Sequence, residues 1–181
     1  MKRILSVLLL ICLLATFGCS KKGGDDIPVG MKLASDPEIN KEYSLFIPEA
    51  WVSDMTTGIT CAYVSSVDRS SVSVTYEVPK ESTIKEYWDN RVSQFSSIFD
   101  NFEVLEEGVN TKLGNADAAS YTYTAEYNGH KYKFIQLFAI RGVYLYTFTY
   151  TALNEEGVTG KIPFDSNLDY VYKVIENFRF N

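Results

Sequence analysis

Hydrophobic positions along this chain change their spacing, and the changes divide it. Residues 4–14 form an apolar run broken only by Ser6. Between Ser20 and about Glu42 no hydrophobic period is sustained. That segment is rich in glycine and charge and holds Pro28 and Pro37, a composition suited to a flexible linker. From Tyr43 onward, short β-branched and aromatic runs alternate with turn residues, which predicts strands over 43–47, 59–64 and 71–78. In the third of these Val72, Val74, Tyr76 and Val78 alternate with serine, threonine and glutamate. Pro48 and Pro79 close the first and third runs, because proline has no N–H to give a ladder.

At Thr83 the period lengthens. Thr83 and Glu86 stand three apart as a capping box. Ile84, Tyr87, Trp88, Val92, Phe95, Ile98 and Phe99 then recur at three- and four-residue steps, which predicts an amphipathic helix. Helices that lie on membranes carry Lys and Arg along the polar face. Here only Lys85 and Arg91 do so, and packing on a sheet is the expectation. Residues 102–107 predict a strand, with turns near Gly108 and at Gly114-Asn115. Asn128-Gly129 signals a type I′ hairpin. That turn sets Tyr127 opposite His130, Glu126 opposite Lys131, Ala125 opposite Tyr132 and Tyr123 opposite Phe134, so charges and apolar groups each meet their kind of partner.

A second turn at Arg141-Gly142 returns the chain as a strand over 143–151. Tyr144, Tyr146 and Phe148 occupy one face of it and Val143 and Leu145 the other, so cover is expected on both sides of the sheet, at least at its centre. After a glycine- and acid-rich loop over 154–160, Leu168, Val171, Tyr172 and Ile175 predict a helix over 165–175. Asn177 ends it, and Phe178 and Phe180 flank Arg179 as a short closing strand. The expected fold is a single α+β domain, an antiparallel meander of about six to seven strands with a helix packed on each face.

The apolar run at the N-terminus reads as an address. Lys2 and Arg3 precede it, Ala15, Thr16 and Gly18 follow it, and Cys19 comes next. A basic start, an apolar stretch about half a bilayer span long and a small-residue end make a secretory signal. With Cys19 placed as it is, the segment resembles a bacterial lipoprotein signal, departing from the usual pattern at Thr16 and at the bulky Phe17. The resemblance implies cleavage after residue 18, several acyl chains on Cys19, and stable attachment to the outer face of a bacterial membrane. An uncleaved anchor or plain secretion is the other reading. The chain then divides into a signal over 1–18, a lipidated cysteine and tether over 19–42, and a folded domain over 43–181. Cleavage removes Lys2 and Arg3 and takes the net charge from -6 to -8.

The order of elements in that domain resembles a family. "YSLFIPEAW" over 43–51, the aromatic helix, "VYLYTFTYTA" over 143–152 and a last helix running into "ENFRF" over 176–180 look like the PsbP-like domains. That family includes an extrinsic subunit of photosystem II, a nuclear protein that binds a small GTPase, and many bacterial lipoproteins. The resemblance spans 43–181 and implies an antiparallel sheet between helices and a role in binding partners. It brings no catalytic residue with it.

Composition narrows the chemistry. A net charge of -6 argues against nucleic acid, which needs a basic surface. Three cysteines and one histidine are too few for a thiolate–imidazole zinc site or a disulfide scaffold. Cys12 leaves with the signal and Cys19 takes lipid, so Cys61 is left alone, read as a small buried thiol. His130 is read as a solvated turn residue. No nucleophile elbow, phosphate loop, HExxH or CxxC occurs, and no cofactor is expected. Asp165, Asn167, Asp169 and Glu176 match part of a calcium-loop spacing, but Tyr170 stands where such a loop needs glycine. Helix capping by Asp165 or Ser166 is the competing account. The favoured function is a lipid-anchored, non-catalytic binding or accessory domain, with an envelope protein or a small ligand as partner. Thirteen tyrosines and two tryptophans support a second reading, a ring platform for extracellular glycan that includes Trp51. A third is an envelope hydrolase using two carboxylates from Glu49, Glu77, Glu86 and Asp165, which would have to lie about 5–10 Å apart.

Overall fold

A computed structural model describes residues 27–54, 59–157 and 162–181; the signal, Cys19 and most of the expected tether lie outside the described residues. Seven strands form one fully antiparallel sheet in the order β4-β5-β6-β10-β9-β8-β7. These are β4 (Val52–Asp54), β5 (Thr60–Tyr63), β6 (Ser71–Glu77), β7 (Asp100–Leu113), β8 (Ala116–Tyr127), β9 (His130–Arg141) and β10 (Tyr144–Leu153). The β8–β9 register is the one the Asn-Gly turn demands, Tyr127 opposite His130 and Tyr123 opposite Phe134. Asn128 and Gly129 take φ of 53° and 77° there, the conformation such a turn requires.

Helix α1 (Ile84–Ile98) carries the chain from β6, inside the sheet, to β7 at its far edge. Its capping box is complete. The Glu86 amide donates to Thr83 Oγ1 at 3.2 Å, and the Thr83 amide donates to Glu86 Oε2 at 3.2 Å. One face of the sheet receives this helix. Trp88 stacks on Tyr121 with ring centroids 4.4 Å apart, Tyr87 meets Phe138 edge-on, and Phe95 stacks on Tyr123.

The opposite face holds the larger core. It is covered by α2 (Pro163–Ser166), α3 (Leu168–Asn177), the pair β2 (Tyr43–Ser44) with β11 (Arg179–Phe180), and the pair β1 (Met31–Leu33) with β3 (Phe46–Pro48). Tyr43 is stacked on Phe178 and donates its hydroxyl to Thr60 Oγ1 at 2.6 Å.

Four expectations need correction. The tether was expected to run to Glu42, yet Met31–Leu33 pairs with Phe46–Pro48, and Ser35 Oγ accepts from the Leu45 amide at 3.0 Å. A three-residue strand has too few positions to show a period, and its partner makes it a strand. Gly108 was expected to turn the chain; instead β7 runs through it. Its φ of +62° lies within the register shift between Glu106 and Val109, so its positive φ serves a bulge. The helix over 165–175 is interrupted at Asn167, so neither Asp165 nor Ser166 caps α3; Asn167 holds the N-cap position. Finally, cover on both faces is incomplete, because beyond Leu145 the second face of β10 carries Thr147, Thr149 and Thr151 rather than apolar residues.

Candidate functional site

The incomplete cover makes the candidate site. A helix is about 10 Å across with its side chains, while strands are about 4.8 Å apart. One helix therefore covers two or three strands, and α1 spends its aromatic stripe on β7, β8 and β9. The same face of β10 and β6 is left open. Cross-strand pairing sets Ser73 opposite Thr149, Thr75 opposite Thr147 and Gln136 opposite Thr149. These side chains share one face with Phe138, which pairs with Thr147. They floor a groove of about 300 Å³ whose wall is Tyr87, Arg91 and Phe95 of α1.

A charged cluster divides that groove from a second depression of about 240 Å³. Arg91 Nη2 donates to Glu77 Oε1 at 2.7 Å and to Tyr87 Oη at 2.6 Å, and Arg91 Nε reaches Tyr87 Oη at 3.0 Å. Tyr87 Oη in turn donates to Glu77 Oε1. Burial, and then the bond to the Glu77 carboxylate, push the Tyr87 phenol above its ordinary pKa. It is a donor, not a base, at neutral pH. Beyond the cluster, Asn90, Gln94 and the loop from Val78 to Glu81 line the second depression. Gln136 has a distinctive place in the floor. Its Nε2 donates to Thr149 Oγ1 at 3.1 Å, and its buried Oε1 has no protein partner.

No family model matches the chain, and no curated protein matches it. Solved structures do. The cyanobacterial PsbP of Synechocystis superposes with a TM-score of 0.58 at 14% identity, over 88% of this chain and 96% of its own. The fold is PsbP-like. LpqN, involved in cell envelope biogenesis of Mycobacterium tuberculosis, matches with a TM-score of 0.51 at 13% identity, covering 77% of this chain and 83% of its own. A Pseudomonas aeruginosa protein described as of unknown function and a putative regulator gives 0.54 at 14%, over 81% and 94%. Identities this low establish the shared fold.

The residues singled out from sequence are scattered over this domain. His130 is exposed at its hairpin turn, 3.7 Å from Glu155. Cys61 is half-buried on β5, and burial raises its thiol above the usual value. Trp51 and Trp88 are both buried, so neither offers a ring to solvent. Of the four carboxylates, Glu86 is bound into the helix cap and Glu77 into the Arg91–Tyr87 cluster, while Glu49 and Asp165 are exposed elsewhere. Among them only Glu77 lines the groove.

The calcium spacing fails on geometry. Asp169 and Glu176 lie within α3, where seven residues of rise put them about 10 Å apart along the axis. Asn167 is turned inward, its Nδ2 donating to Pro163 O at 3.0 Å and to Asp68 Oδ2 at 3.3 Å. Among the described residues no three His, Cys, Asp or Glu side chains gather into a metal cluster, and no helix is long and apolar enough to cross a membrane. No sequence signal marks the groove, because Ser73, Thr75, Thr147 and Thr149 have the pattern of an ordinary solvated sheet face.

Proposed function

We propose that this protein is a lipid-anchored, extracytoplasmic binding or accessory domain of a bacterial envelope, tethered through acyl chains on Cys19. It acts without catalysis, and its partner or small ligand sits in the groove between α1 and the open half of the sheet. The observation that carries the binding half of this reading is that groove, with a polar floor and a charged cluster on its wall. The anchoring half rests on the basic, apolar and small-residue run that ends at Cys19. Covered β1 shortens the proposed tether to the stretch between Cys19 and Met31.

Both halves are tested in cells. Mass spectrometry of the wild-type N-terminal peptide should show acyl chains on Cys19, and Cys19→Ala should stop processing and lose that mass. A Cys19→Ala chain processed and membrane-bound like the wild type overturns the anchor. A photo-crosslinking residue placed at Thr147 or Thr75 should give a defined adduct, while one at Asp117, exposed on β8 where it pairs with Lys112 of β7, should not. No adduct from either groove position overturns the assignment of the groove.

A further inference from the structure

We infer that the groove beside α1 takes a neutral saccharide, a conclusion that rests on the groove being the binding site and that names its ligand class. Charge comes first. Among the described residues lining the groove only Glu77 and Arg91 are ionic, and they neutralise each other at 2.7 Å. An anion or cation would have to break that pair to gain a counter-charge. A neutral ligand does not.

The floor then selects for hydroxyl groups. Ser73, Thr75, Thr147 and Thr149 stand as two facing pairs on adjacent strands, with paired side chains about 5 Å apart. Each hydroxyl donates once and accepts twice, so the lattice matches a ligand that itself carries several groups able to do both. Gln136 adds a demand: its Oε1 is buried without a partner, next to an Nε2 already bonded to Thr149. Buried polar atoms are normally paired, and one left unpaired on a residue that lines the groove points to a missing donor. A sugar hydroxyl meets that need whichever way the carboxamide is turned. Phe95 supplies apolar surface for the C–H face of a ring, and the volume of about 300 Å³ lies at the lower end of small-ligand sites. The sugar is therefore held by the sheet's hydroxyls and Gln136, inside the groove, and the buried tryptophans take no part.

Calorimetry tests this on the full chain in a detergent without a sugar headgroup, titrated with maltotriose, cellotriose and triacetylchitotriose up to millimolar concentration. At least one should give saturable heat. Gln136→Leu should weaken it by about tenfold or more and should leave the melting temperature unchanged or raised, since it removes an unpaired buried acceptor. Thr149→Val should weaken binding as well. Three flat titrations overturn the proposal, as does a Gln136→Leu chain that binds with wild-type affinity. If the crosslinker at Thr147 captures a peptide while all three sugars fail, the ligand class is wrong and the binding-domain reading survives. If the sugars and the crosslinkers all fail, both fall.

Discussion

Gly114 joins β7 to β8 with φ of +57°, and a Cβ built on it would stand 1.9 Å from the carbonyl oxygen of Phe178. Its amide donates to Ile175 O at 2.8 Å, so this turn is seated on the junction of α3 and β11. Gly129 has a similar φ of +77° and nothing within 4 Å. Gly129→Ala should therefore cost only the left-handed backbone, about 1–2 kcal/mol. Gly114→Ala adds a clash with backbone that cannot move aside, for a loss of about 3 kcal/mol or more. Urea midpoints of the two variants check the difference, and equal losses would mean that the turn is not seated there. The sequence marks both glycines as turn residues. It has no mark for the contact with Phe178, which is sixty-odd residues away and arises only from packing. Buried phenols add a pH dependence. Burial raises the pKa of Tyr123, and of Tyr43 and Tyr150 with it. A group whose folded pKa is raised keeps its proton longer in the folded chain, so its stabilisation is complete below the unfolded value of about 10 and is lost above it. Urea stability should be level from pH 7 to 9 and fall beyond pH 10, by up to about 1.4 kcal/mol per pH unit for each such phenol. Tyr123→Phe should make that fall shallower, and an unchanged slope would remove Tyr123 as a contributor.

At the scale of elements, the parts legible in the sequence are those whose determinants are local. The capping box at Thr83 and Glu86 forms as spaced, and Thr83→Ala should cost about 1 kcal/mol in thermal or urea unfolding. Because Glu86 reaches back to the amides of Ser82 and Thr83, the Thr83→Ala and Glu86→Ala losses should be non-additive in a double-mutant cycle. Simple additivity would show the two bonds to be independent. The β8–β9 register is likewise local, since one Asn-Gly turn and an alternating pattern leave a single solution. Elements defined by distant partners were not legible. Met31–Leu33 becomes a strand because Phe46–Pro48 lies beside it, and Gly108 becomes a bulge because β8 continues past it. Asn167 breaks the last helix because its side chain bonds inward to Asp68, 99 residues earlier. The groove belongs to this second group. Alternating threonines on β10 look the same from sequence whether they face bulk water or the flank of a helix, and only the limited width of α1 distinguishes the two.

At the scale of the whole molecule, two covers of unequal extent lie on one sheet. The face that holds the larger core is closed by segments from both ends of the described chain, β1 to β3 before the sheet and α2 to β11 after it. Among the described residues the other face has one helix and stays half open. A fold that leaves hydroxyls uncovered on one side has to obtain its apolar burial on the other, which makes the N-terminal strap structural. Phe46 and Ile47 are fully buried, with Met31 and Ala34 part of the same core, and the Ala34 amide donates to Leu45 O at 2.8 Å. Two internal deletions separate tether from strap. Removing residues 20–30 takes away backbone bonds such as that from the Glu49 amide to Gly30 O, and should cost about 1 kcal/mol. Removing residues 20–36 also strips Met31, Leu33 and Ala34 from the core and should cost a further 3–4 kcal/mol or so. For a domain of this size that is a drop of roughly 10 °C in melting temperature, read by circular dichroism at neutral pH. If the two deletions melt together, residues 31–36 are tether after all, and the covered face draws its stability from the C-terminal helices alone.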